Sequence, residues 1–143
     1  MSADRPRYVL DSFALLAYFG AEPGGPQVQA LLAAAAADQA VVNLSVINYG
    51  ELVYITEREQ GAFAARRAIA AVDQLPITVI DADRSLTFAA AHVKAHHRLS
   101  YADAFTVALA QQTQAALLTG DPEFRAVEHV IAIEWLPQLA TRS

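Results

Sequence analysis

Four acidic residues, Asp11, Glu51, Asp103 and Asp121, are the residues of this chain best suited to chemistry. Carboxylates gathered in one cleft repel one another, so without a counter-ion some of them stay protonated and the site costs stability. A divalent cation removes the conflict. The chain has no cysteine and no suitably placed histidine, and hard oxygen ligands favour Mg²⁺ or Mn²⁺ over zinc. Mg²⁺ keeps part of its water and takes further ligands from phosphate, so such a set points to a phosphodiester as the substrate. Two such ions would bring the formal net charge from −5 to about −1, which bears on how an acidic protein receives a polyanion.

These acids can cooperate only if the fold brings them together. Residues 7–10, 40–44, 77–80, 115–118 and 130–134 read as strands, with 77–80 as a buried one. Residues 12–20, 27–38, 45–58, 62–74, 84–97 and 101–113 read as helices. Ser45 is a suitable N-cap, and Gly20 and Gly61 punctuate. Strands alternating with helices at these lengths predict an α/β fold with a mainly parallel sheet of four to five strands covered on both faces, because parallel crossovers need helices. Ligands then bind at the carboxyl ends of the strands. Asp11 follows the first strand and Asp121 the fourth. Asp103 lies in the first turn of the helix that leads down into the fourth strand, which places it on the same rim. Glu51 shares a helical stripe with Ile47 and Ile55, pointing a carboxylate inward beside apolar neighbours that leave it in need of a partner.

Each acid also has a purely structural role open to it. Asp11 can cap the helix from Ser12, Ser100-x-x-Asp103 is a capping-box pattern, and Asp121 before Pro122 can cap a short helix with proline in its first turn. Glu51 can be a partly exposed residue of a wide helix.

Composition bounds the rest. The 143 residues are 55% hydrophobic and 17% charged, which fits one globular domain over residues 1–143, with residues 1–6 expected to be a flexible N-terminal tail. Fifteen Asp plus Glu against ten Lys plus Arg exclude a generally basic, nucleic-acid-coating surface. The absence of cysteine excludes disulfides and a thiolate site. The apolar run over residues 30–37 is far shorter than the ~20 residues a membrane span needs, and no apolar core precedes Asp11, so a cytoplasmic location is expected.

The set Tyr8-Val-Leu-Asp11-Ser12, Ser45-Val-Ile-Asn-Tyr-Gly-Glu51-Leu-Val, Leu99-Ser-Tyr-Ala-Asp103-Ala and Leu118-Thr-Gly-Asp121-Pro-Glu-Phe124 resembles the PIN-domain family. In particular it looks like the VapC toxins of bacterial type II toxin–antitoxin systems. The likeness covers essentially the whole chain, in order, with all four acids at the family's spacing. It implies a Rossmann-like three-layer α/β/α sandwich and a ribonuclease whose Asp11, Glu51, Asp103 and Asp121 serve both catalysis and the binding of Mg²⁺ or Mn²⁺. It also implies a homodimer, an RNA substrate, and neutralisation by a small VapB-like antitoxin in a higher-order complex. Ser12 and Thr119 match positions where the family often has a small hydroxyl residue, suited to orienting carboxylates or metal-bound water. Glu123 is a further acid for the cleft, or a residue that complements the first-turn dipole of a short helix. The implied reaction is metal-assisted hydrolysis of the phosphodiester.

Other signals compete. Residues 77–83 end in Asp81-Ala-Asp83, an arrangement like that of haloacid-dehalogenase-like phosphatases, although Asp81 or Asp83 as cap of the helix from Arg84 is the simpler reading. His92 and His96 have i, i+4 spacing without a third ligand nearby. The group Lys94, His96, His97 and Arg98 stands before Asp103, with Arg66 and Arg67 a lesser basic pair; both are phosphate- or antitoxin-binding candidates or plain solvated surface. Tyr54 and its helix are candidates for an antitoxin groove. A PIN-like module that binds RNA or protein without catalysis is the non-enzymatic alternative.

Overall fold

The structure, a computed structural model, describes residues 4–137. Five strands form one all-parallel sheet in the order β3-β2-β1-β4-β5: β1 (Arg7–Leu10), β2 (Val41–Ser45), β3 (Thr78–Ile80), β4 (Ala116–Thr119) and β5 (Ile133–Trp135). Six helices connect them: α1 (Ser12–Phe19), α2 (Gly25–Ala36), α3 (Val46–Gln60), α4 (Ala62–Asp73), α5 (Arg84–His96) and α6 (Tyr101–Thr113). The central strands are buried on both faces, so their side chains alternate between two cores. Val9 and Leu117 pack with α5, α6 and Phe124 on one side, whereas Leu10, Leu44 and Leu118 pack with α1, α2 and Leu52 on the other. The result is the expected three-layer α/β/α sandwich. Helix α6 is its centrepiece: Asp103 through Ala110 are all buried.

Sequence chemistry accounts for most boundaries. Asp11, Ser45, Asp83 and Ser100 accept backbone N–H bonds at the starts of α1, α3, α5 and α6. Gly61, at φ +96°, closes α3 in a conformation that suits glycine. Helix α2 starts at Gly25, earlier than residue 27, because Pro26 fits a first turn that needs no N–H from it. The fifth strand starts at Ile133, later than residue 130, because the N–H groups of Val130 and Ile131 are spent on the Val127 carbonyl. The expectation of a buried third strand is corrected: β3 is an edge strand paired only with β2, with Thr78 exposed and Val79 and Ile80 half-buried. Residues 1–3 of the expected tail lie outside the described residues. Within residues 4–6, Arg5 pairs with Asp38 and the Pro6 carbonyl accepts the Val41 N–H. No helix among the described residues is long and apolar enough to cross a membrane.

Candidate metal centre

The strand order reverses between β1 and β4, so the loops that leave these two strands diverge and open a crevice at the carboxyl edge. Asp11 leaves β1 there. Its Oδ1 accepts the Ala14 N–H at 2.9 Å, which caps α1, and its Oδ2 accepts the Thr119 hydroxyl at 2.6 Å. Thr119 ends β4, one step beyond the Leu10–Leu118 register pair, so sheet pairing itself sets this hydrogen bond. The same hydroxyl oxygen accepts the Asp121 N–H at 3.1 Å. Between them, Gly120 lies under Phe13, where a Cβ would come within 2.5 Å of the ring's Cε1. Glycine lets the β4 loop close tightly against the start of α1.

Asp121 begins a 3-10 helix (Pro122–Val127) by accepting the Glu123 N–H at 3.0 Å. Fully buried Phe124 anchors this turn in the core. The turn brings the Glu123 carboxylate back beside Asp121. Ser100 caps α6 through the Asp103 N–H at 3.1 Å, holding Asp103 in the first turn. One carboxylate oxygen from each of Asp103, Asp121 and Glu123 lies within 4.8 Å of the others, on a gradient from buried Asp103 to exposed Glu123. Across the crevice, half-buried Glu51 accepts the Ser12 hydroxyl at 3.2 Å and the Asn48 carboxamide at 3.0 Å, both at Oε1.

The capping roles of Asp11 and Asp121 are thus realised, yet capping does not exhaust them. An ionised carboxylate offers about four lone-pair positions, and Asp11 and Asp121 are each seen to use only part of theirs.

Electrostatics shows that these carboxylates share one field. Asp103 is 8% exposed; burial, followed by repulsion from Asp11, Asp121 and Glu51, raises its pKa to about 7. Asp11 is 2% exposed and is also raised to about 7, chiefly by burial and further by Asp121, against the lowering effect of its bonds from Thr119 and Ala14. A site that strains against its own ionisation, with three carboxylate oxygens converging and no thiolate or imidazole among them, fits a hard divalent cation. Asp103, Asp121 and Glu123 are brought together directly. Asp11 is held against Asp121 through Thr119, and Glu51 adds its charge from the α3 side.

The PIN domain family matches residues 8–130. This chain is a PIN domain. Among solved structures, it is similar to VapBC2 of Rickettsia felis bound to a promoter DNA fragment, at 16% identity and a TM-score of 0.71, covering 92% of this chain and 99% of that one. It is also similar to VapC20 of Mycobacterium tuberculosis, a toxin that cleaves the sarcin–ricin loop, at 20% identity and a TM-score of 0.69, covering 84% and 94%. VapBC-1 of nontypeable Haemophilus influenzae follows at 18% identity and a TM-score of 0.66, covering 90% and 97%. No curated protein matches the chain.

The competing signals resolve within this PIN domain. Asp83 spends Oδ1 on the Leu86 N–H at 2.8 Å, and Asp81 is exposed beyond the edge strand β3, so family membership and geometry together replace the phosphatase reading. His92 and His96 lie in a tilted ring contact, centroids 4.5 Å apart, on the exposed face of α5. Lys94 donates to the Leu99 carbonyl at 2.7 Å, so it braces the α5–α6 turn. His97 meets His129 in a tilted ring contact, and Arg66 and Arg67 lie over Phe63. Sequence reasoning missed Asn48, a wholly buried amide that touches both α3 and α6. Its signal was present as Asn48-x-x-Glu51, an i, i+3 pair on one helical face.

Proposed function

We propose that this PIN domain is a Mg²⁺- or Mn²⁺-dependent endoribonuclease, the toxin of a VapBC-type pair. The carrying observation is the convergence of Asp103, Asp121 and Glu123 oxygens within 4.8 Å at the sheet's switch point, beside Asp11 and Asp103 whose pKa values are raised to about 7. Asp11, Glu51, Asp103 and Asp121 are the ligand and catalytic set, and Glu123 joins them. A bound Mg²⁺ or Mn²⁺ would supply charge neutralisation, an acidified water and stabilisation of the leaving oxygen. The chain's own residues do the positioning. Thr119 fixes Asp11 and Asp121 relative to each other, Ser12 aims Glu51, and the capped first turn of α6 fixes Asp103. Burial of Asp11 and Asp103 keeps water from relaxing these carboxylates away from the cation.

RNA as substrate class is supported by VapC20, which cleaves the sarcin–ricin loop. A VapB-like antitoxin is supported by the VapBC complexes that share the fold. A cleft of about 480 Å³ between α1, α3 and α4, bordered by Phe19, Leu52 and Arg67, is the place for an apolar antitoxin segment with an acidic partner for Arg67. The protein works in this reading as a homodimer in the cytoplasm, in a larger assembly when neutralised. Cleavage of total cellular RNA by the purified protein in Mg²⁺, Mn²⁺ or EDTA, beside Asp103→Asn, tests the proposal. Discrete cuts that vanish with EDTA and in the variant support it; no cuts under any metal favour a binding module without catalysis.

A further inference from the structure

Asn48 has no place in the acid set, yet it is the most completely engaged side chain next to it. It is 0% exposed in the interior of α3, one turn before Glu51. Its Nδ2 donates to Glu51 Oε1 at 3.0 Å and to the Ala102 carbonyl at 3.1 Å, and its Oδ1 accepts the Thr106 hydroxyl at 2.9 Å. Chemistry fixes the orientation of this amide. A carboxylate oxygen and a backbone carbonyl only accept, so the nitrogen must face them both. The hydroxyl, which serves either way, then donates to the oxygen. Ala102 and Thr106 stand one turn apart on α6, so the carboxamide spans a turn of that helix, and Ala102 immediately precedes Asp103.

Asparagine is a poor helix-interior residue, and a buried amide is tolerated only when fully bonded. Two of its bonds tether α3 to α6, and the third uses the remaining N–H to reach the acid set. The third bond, to Glu51, is the one made to a charged group and therefore the strongest. We infer that Asn48 is a positioning residue that fixes the Glu51 carboxylate relative to Asp103, with Thr106 locking its orientation. Two helices separated along the chain by α4, β3 and α5 thereby present their acids as one rigid unit.

The inference rests on the metal-site reading given above, and Mn²⁺ affinity measured by electron paramagnetic resonance on the full chain separates the two. Asn48→Leu should weaken Mn²⁺ binding about 10- to 100-fold, the range for lost partners of metal ligands. Thr106→Val, which keeps the shape and removes the lock, should weaken it severalfold. Both effects should disappear in a Glu51→Gln background, because residues acting through one group are not additive. A merely structural tether predicts lower urea stability and an unchanged Mn²⁺ affinity in the folded protein. Should Asn48→Leu fail to fold, Thr106→Val with and without Glu51→Gln decides the matter. Unchanged affinity in Thr106→Val, or a loss that persists undiminished beside Glu51→Gln, overturns the role of Asn48 while leaving the metal site standing. A wild-type protein that binds no Mn²⁺ at millimolar concentration overturns the metal site and this inference with it.

Discussion

Asp103→Asn should make the metal-free protein more stable, because the wild-type carboxylate is held in a place that opposes its charge. With a folded pKa of about 7 against an ordinary 3.8, ionising Asp103 in the folded state costs about 4 kcal/mol. Asparagine removes that cost. It also loses a favourable charge in the first turn of α6, ~0.3–1 kcal/mol. The net gain is ~3–4 kcal/mol at pH 8, or roughly 10 °C in Tm for a domain of this size.

The pH dependence has a defined sign. A carboxyl raised in the folded state binds its proton more tightly there than in the unfolded chain, so its contribution is undiminished below about pH 4 and declines as pH rises towards about 7. Above that it is flat. Thermal unfolding in EDTA from pH 4 to pH 8.5 should therefore show wild type and variant converging at the acid end and parting steadily towards neutrality. Asp11, raised to about 7 as well, keeps part of the slope in the variant. Mn²⁺ at 100 times its Kd should then stabilise the wild type by ~2.7 kcal/mol, enough to offset most of the difference. A variant no more stable than the wild type at pH 8 in EDTA, or a gap that ignores pH, would refute the claim that burial, with repulsion from the neighbouring carboxylates, opposes the charge of Asp103 in the folded protein.

Thr119→Val leaves Asp11 Oδ2 and the Asp121 N–H without their partner; it should destabilise by ~2–3 kcal/mol and weaken Mn²⁺ binding at least 10-fold, read by urea unfolding and metal titration. Gly120→Ala drives a methyl into Phe13 and should cost ~1–2 kcal/mol with a measurable shift of the Phe13 ring resonances. Tyr49→Phe removes the hydroxyl whose one proton is shared between Asp73 Oδ1 and the Ile69 carbonyl, linking α3 and α4; about 1 kcal/mol of urea stability should go while metal binding stays unchanged.

What the sequence disclosed, and what it hid, divides along the range of the interactions. Strands β1 and β4 are short apolar runs ending at the rim, and Asp11, Ser45, Asp83 and Ser100 cap helices through bonds spanning two or three residues. Such signals are local and therefore visible. The edge position of β3 is set by strand order, which no periodicity records. Lys94 reads as a solvated base, yet its amine turns to the Leu99 carbonyl once α5 stops at His96. Glu123 reads equally as a cleft acid or as a dipole-complementing residue, and only the 3-10 turn that follows Asp121 brings its carboxylate to the other acids. Asn48 is hidden most fully, since a polar residue within a helix reads as solvent-facing until another helix covers it. Thr106, its partner, lies 58 residues away.

The same topology explains why the acids need an external partner. Helices α1 and α3 leave β1 and β2 at the carboxyl edge, and α6 must begin at that edge in order to feed β4, so three helix N-termini face one rim. Such a rim favours anions, by ~0.3–1 kcal/mol for each carboxylate near a helix start. That gain is small beside the cost of about 4 kcal/mol worked out for Asp103 alone. The helix dipoles therefore lose to burial and mutual repulsion. They are strong enough to recruit carboxylates as caps, and too weak to hold the buried ones ionised together. On the proposed metal-site reading, a divalent ion among Asp103, Asp121 and Glu123 would reverse the balance, and the helix starts would then remain as sources of positive potential for a phosphate at the rim.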